Sequence, residues 1–158
     1  MVNKRAKLAK SDYKFIHTLR VRWKECDIQG IAFYGSYLDY IEVGEAEYFR
    51  NLGIYTLQEE PRKKFDLAAV KLTLEFKSSA KVDELIDLHM KIANMGRSSM
   101  VESTEIYRSG TDELLVTGER ISVNFDSSKA KSRRIPDDIR AIIERFENTG
   151  ETPTKHLN

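Results

Sequence analysis

Asp27 stands in the stretch ECDIQGIAFYGSYLDY, residues 25–40, a short linker that also holds Gly30 and then turns apolar and aromatic. A side-chain carboxylate can shape a turn, or it can act as a general base or nucleophile. A surface turn needs no aromatic helix behind it, and a core helix needs no acid in front of it. The remaining reactive side chains are poorly placed for chemistry. His17 and His89 fall in strand-like runs and His156 in the C-terminal tail. The single cysteine, Cys26, lies between Glu25 and Asp27, and neighbouring acids disfavour a thiolate. No Cys/His spacing suits a metal, so neither a metal nor a cofactor is expected. No phosphate-cradling glycine loop or nucleophile elbow occurs.

The elements that must position Asp27 can be read from periodicity. Residues 16–23 alternate, with His17, Leu19, Val21 and Trp23 on one side, as in a half-buried strand. From about Ser36 to Leu52, the residues Leu38, Ile41, Tyr48, Phe49 and Leu52 recur at helical spacing. Ser36 with Asp39 resembles a capping box, and Gly53 suits the stop. Tyr40, Val43 and Ala46 leave the other flank only partly polar, so the helix should be nearly surrounded by protein. After the charged loop QEEPRKK come four strand-like runs at 65–76, 85–93, 98–108 and 114–125. Their turn-length connectors make consecutive strands antiparallel. The expected inward sets are Val70, Leu72, Leu74 and Phe76; Ile86, Leu88, Met90 and Ile92; and Leu115, Thr117, Ile121, Val123 and Phe125. The segment PDDIRAIIERFE closes the series as a short helix with Ile139, Ile142, Ile143 and Phe146 on one side.

This order predicts an α+β fold: a curved antiparallel five-stranded sheet wrapped around one long helix, plus a short C-terminal helix. The 158 residues suffice for one domain with a real core. The expected organisation is a basic arm over 1–14, a single domain over 15–147 and a polar tail over 148–158. A formal net charge of +1 argues for neither nucleic acid nor membrane as partner. No apolar run reaches the roughly 20 residues of a membrane span. The lone cysteine suits a reducing compartment, hence the cytoplasm.

The element order and the run DIQGIAFYGSYLDYIEVGEAEYFRNLG resemble the hotdog-fold acyl-CoA thioesterases, in particular the 4-hydroxybenzoyl-CoA thioesterase-like group. The likeness runs from about Phe15 to Phe146. Its most specific part is D-x-x-G-[IV]-x-[FY]-[YH]-x-x-Y, met by Asp27, Gly30, Ile31, Phe33, Tyr34 and Tyr37. Gly96-Arg97-Ser98-Ser99 and Arg134-Ile135-Pro136 add weaker matches.

The resemblance implies hydrolysis of an acyl-CoA thioester, with Asp27 as the catalytic carboxylate, attacking or activating water. It implies that the backbone N–H groups of Tyr34 and Gly35, at the start of the long helix, polarise the thioester carbonyl. Gly30 would permit the turn, and Phe33, Tyr34 and Tyr37 would wall off water and contact the acyl group. Arg97, Arg133 and Arg134 are candidates for binding the substrate's phosphates, and Ser98 is a further candidate for substrate binding. Relatives form homodimers or homotetramers with sites at subunit interfaces. One departure stands out: many relatives carry arginine where this chain reads Glu42-Val43-Gly44-Glu45, and a second hotdog lineage uses a helix glutamate catalytically. Release of an acyl group from an acyl carrier protein and non-catalytic acyl-CoA binding are the competing readings. A hotdog dehydratase ranks last, because no histidine lies near the loop.

Overall fold

In the computed structural model, which describes residues 8–54 and 58–153, one antiparallel sheet curls around one long helix. The elements are β1 (Phe15–Arg20), α1 (Ser36–Asn51), a single helical turn α2 (Glu59–Arg62), β2 (Leu67–Phe76), β3 (Leu85–Met95), β4 (Ser99–Arg108), β5 (Leu114–Asp126), the two-residue β6 (Lys131–Ser132) and α3 (Asp137–Thr149). Spatial order is β1-β3-β4-β5-β2, with β6 paired to β5. The five long strands and two main helices are those predicted. The charged loop at 58–64 winds into α2 instead of running free, and β6 is additional.

α1 buries a stripe of Tyr37, Tyr40, Ile41, Gly44, Tyr48, Phe49 and Leu52 against the sheet. Gly44 allows the closest approach, since a Cβ there would fall 2.4 Å from Met90 Sδ and 2.9 Å from Leu88 Cδ2. Leu38 and Val43, by contrast, are 48% and 42% exposed, so in one chain the helix is covered on one face only. Its start also differs from the expected capping box. Ser36 Oγ donates to Glu25 O instead, at 2.8 Å. Its end is as predicted: Gly53 adopts φ +72, where a side chain would be strained.

The strands explain where alternation is readable. β3 covers Ile86, Leu88, Met90 and Ile92, as expected. β4 reads as mixed because it is central and buried on both faces. Its other face receives the N-terminal segment: Tyr13 is buried there and its hydroxyl lies 3.0 Å from Ser103 Oγ. Lys10 Nζ pairs with Asp112 at 2.9 Å and sits over the Tyr107 ring. Of the arm at 1–14, residues 1–7 lie outside the described part, and residues 10–12 form a turn of 3₁₀ helix held on this face.

β2 departs from expectation. It is an edge strand with a register shift between Ala69 and Lys71. Val70 and Phe76 are 60% and 50% exposed and Leu72 is also exposed, so of this set only Leu74 is partly buried, close to Gly118. In β5 the buried positions are Leu115, Val116, Ser122 and Asn124, so of the predicted alternating set only Leu115 is fully buried. Asn124 is fully buried because all its side-chain hydrogen bonds are made. It donates to Lys64 O and Arg134 O and accepts from Asp66 N and Arg133 Nε.

Ile143 and Phe146 of α3 are buried as predicted. The helix runs two residues past 147, and Gly150 ends it at φ +76. The tail from 154 onward, with His156, lies outside the described residues.

Candidate active site

The Asp27 segment doubles back as a small hairpin. Asp27 N donates to Ile31 O at 3.0 Å, and Phe33 N donates to Glu25 O at 2.9 Å. Gly30 makes the reversal at φ +75, its N–H bonded to Asp27 O. The hairpin is sewn to the β2–β3 connection, with Ala32 N donating to Ala80 O at 2.8 Å. Asp27 is half-buried, and its Oδ1 accepts from Gln29 N at 2.8 Å.

Immediately after the hairpin the chain enters α1. The amides of Phe33, Ser36, Tyr37 and Leu38 all have backbone acceptors. Those of Tyr34 and Gly35 have none among the described residues. Two adjacent free N–H groups thus open a 16-residue helix, at the positive end of its dipole. Phe33 and Tyr34 pack ring to ring, with centroids 4.3 Å apart, and Tyr34 is 68% exposed. Backbone N–H groups without an acceptor at a helix start can polarise a carbonyl, and a half-buried carboxylate in the loop before it is of a type that can attack directly or through water.

The other nominated residues distribute differently. Tyr37 is buried, packs edge-on against Tyr40 and Phe76, and accepts from Ala80 N. It supports the hairpin from within the core, whereas Phe33 and Tyr34 are exposed. At Cys26 burial first, then Glu25 and Asp27, push the thiol pKa up, which disfavours the thiolate. His89 lies on the outer sheet face between Tyr13 and Tyr107, where burial pushes its pKa down. Glu45 is ion-paired to Arg120, beneath the helix.

The arginines and Ser98 sit elsewhere. Asn124 N donates to Ser98 O, and Arg133 is bound to Asn124. Along the β2–β5 ladder, Phe76 faces Val116 at the hairpin end and Leu67 faces Asn124 at the other. Those eight steps amount to about 26 Å. Arg133 is also occupied: its guanidinium donates to Arg62 O at 2.7 Å, to Lys63 O and to Asn124 Oδ1. It ties the end of β6 to the end of α2, and among the described residues these carbonyls meet no other side chain. Arg134 pairs with exposed Asp137, and Arg97 is exposed.

Sequence reasoning missed Glu25. Its backbone oxygen holds both Phe33 N and Ser36 Oγ, and its carboxylate is buried. The only signal was an acid two residues before Asp27, which reads as another loop charge.

A curved antiparallel sheet wrapped around one long helix is the hotdog arrangement. The family model of the thioesterase superfamily matches residues 29–115, and the chain belongs to that superfamily. Thioester hydrolysis is therefore its class of reaction. The chain is 25% identical over 121 residues to the acyl-CoA thioester hydrolase YbgC of Escherichia coli, covering 77% of this chain and 89% of that protein. Among solved structures, Slr0204, a 1,4-dihydroxy-2-naphthoyl-CoA thioesterase from Synechocystis, superposes with a TM-score of 0.77 at 14% identity, over 84% of this chain and 97% of that one. DHNA-CoA thioesterase from Staphylococcus aureus gives 0.75 at 20% identity, over 87% and 95%.

Proposed function

We propose that the protein hydrolyses an acyl-CoA thioester to the free acid and coenzyme A, with Asp27 as nucleophile or general base. The observation that carries this reading is the pair of unbonded amides, Tyr34 and Gly35, opening α1 beside the Asp27 hairpin. They would receive the negative charge that develops on the thioester oxygen. The relatives' names supply the coenzyme A part of the reading. The test is turnover of the purified protein on a panel of acyl-CoA thioesters and matched acyl-carrier thioesters. Turnover confined to the carrier substrates would replace the coenzyme A reading, and binding without turnover would leave a non-catalytic domain.

The donors are backbone groups, which makes a specific expectation. Tyr34→Phe keeps most of kcat. Gly35→Pro deletes one N–H at a residue already at φ −65, which proline accepts, and lowers kcat about 10²–10³-fold. Gly35→Ala is the control, because it places the same Cβ 2.7 Å from the Phe33 ring while keeping the N–H. Steady-state kinetics of the three variants check this. Loss in Tyr34→Phe with retention in Gly35→Pro would move the role to the phenol.

The proposal includes a second copy of the chain. β2 ends the sheet with an unpaired edge and exposed Val70, Leu72 and Phe76. Antiparallel pairing of two copies along that edge would bring the Arg97 and Arg134 end of one chain toward the Asp27 end of the other. Light scattering is expected to give a species of at least twice 18.3 kDa, and a monomer at working concentration would reject this arrangement. Among the described residues no helix is long and apolar enough to cross a membrane. Action in the cytoplasm, on a diffusible substrate, belongs to the same proposal.

A further inference from the structure

Glu25 is buried, yet it carries no part of the chemistry proposed above. Its two carboxylate oxygens are fully engaged. Oε2 accepts from Arg22 N at 2.7 Å and from Tyr40 OH at 2.9 Å. Oε1 accepts from Arg22 Nε at 2.6 Å and lies 2.5 Å from Arg22 Nη2. Tyr40 is on the second turn of α1 and Arg22 is on the chain entering the hairpin. The main chain of the same residue holds Phe33 N and Ser36 Oγ. One residue therefore joins the entry to the hairpin, its return strand and two successive turns of the helix.

Burial opposes the charge, but the donors from Arg22 and Tyr40 outweigh it and hold the carboxyl below its ordinary pKa. The clamp thus stays ionised across the neutral range. Its consequence is geometric. Phe33 is fixed on one side of the free amides and Ser36 on the other, so the directions of the Tyr34 and Gly35 N–H groups follow from where Glu25 sits. Asp27 is two residues along the same strand of the hairpin.

We propose that Glu25 is the positioning residue of this site, clamping the Asp27 hairpin to the first two turns of α1 so that carboxylate and amide donors face one reacting carbonyl. This rests on the Asp27 reading, and the experiment separates the two. Glu25→Gln keeps the shape but turns an NH₂ toward either the Arg22 or the Tyr40 donors, so one pair of hydrogen bonds is lost. Misplacement by about 1 Å can cost about 10²-fold in rate.

Four variants, Glu25→Gln, Tyr40→Phe, Asp27→Asn and Glu25→Gln with Asp27→Asn, are assayed on benzoyl-CoA and hexanoyl-CoA. Amide hydrogen exchange of residues 27–36 is followed in parallel. Glu25→Gln is expected to lower kcat about 10–10²-fold with KM within about twofold. Tyr40→Phe should have a smaller effect in the same direction. In the double variant Glu25→Gln should cost less than it does alone, since the part of its effect that acts through Asp27 has nothing left to position. Exchange should quicken at Phe33 and Ser36 in Glu25→Gln while β3 and β4 stay protected.

Retention of more than half of kcat in Glu25→Gln, or losses that multiply in full in the double variant, would overturn the proposal. So would unchanged exchange over 27–36, a readout that needs no turnover. If Asp27→Asn keeps its activity while exchange quickens as expected, the clamp stands and the catalytic assignment fails.

Discussion

Asp27→Asn is expected to lower kcat by about 10²–10⁴-fold, the usual cost of removing a catalytic acid–base group, and to leave the fold intact. Asparagine keeps an Oδ1 able to accept from Gln29 N, the bond that aspartate makes at 2.8 Å. The turn is therefore preserved while the charge is removed. This separates the catalytic reading from the alternative that Asp27 merely shapes the hairpin, which predicts near-normal turnover. Steady-state kinetics on the best acyl-CoA of the panel, with a melting curve beside it, gives the answer. More than about a tenth of wild-type kcat would sink the assignment. Asp27→Ala, which loses the turn bond as well, should be no slower than Asp27→Asn but less stable.

The second large effect concerns stability. Arg120 lies between Glu45 on α1 and Glu102 on β4, pairing with both, and all three side chains are largely buried. Burial above all, opposed by Arg120 and helped by Glu45, leaves the Glu102 carboxyl raised to about 7. Arg120→Met removes the single cation and strands two acids between helix and sheet. The expected loss is about 3–5 kcal/mol at pH 8, the cost of breaking a buried ion pair from one side. The loss should shrink toward pH 5.

The sign follows from proton linkage. Glu102 has its folded pKa raised above the unfolded value of 4.5, so the folded state binds the extra proton between those limits. This group's contribution is most favourable below 4.5, declines as pH rises through 7, and is level above. Removing Arg120 raises the folded pKa further and makes the high-pH penalty larger. Urea unfolding of wild type and Arg120→Met at pH 5 and pH 8 measures both. An equal loss at the two pH values would show that the carboxylates do not share a charge-sensitive site. Glu102→Gln should flatten the dependence.

The residues that carry local signals were legible without the fold. Asp27 and Gly30 announced a turn, and the recurrence of Leu38, Ile41, Tyr48, Phe49 and Leu52 announced a helix. Turn-length connectors gave the β3–β4 and β4–β5 pairings, but not β2, which pairs with β5 and not with its neighbour in sequence, β3. Gly53 marked the helix stop because only a residue without Cβ takes φ +72 at no cost. The pattern D-x-x-G-I-x-F-Y-x-x-Y named the family, since it packs the loop acid, the reversal and the helix start into eleven consecutive residues.

What the tertiary structure decided was every property that depends on partners distant in sequence. Periodicity reports which side of a strand is apolar, not whether something covers it. Val70, Leu72 and Phe76 read as core, yet they lie on an edge strand that, among the described residues, pairs with β5 alone, and all three stay largely exposed. Ser122 and Asn124 read as surface, yet β4, α2 and Arg133 supply cover or hydrogen bonds from up to 60 residues away. Arg133 read as a free cation and is used up by carbonyls of residues 62 and 63. Glu25 and Glu102 read as two more charges among 25 acids. Only folding brings Arg22 and Tyr40 to the first and Arg120 to the second, and a buried charge has a definite role only once the groups that face it are known.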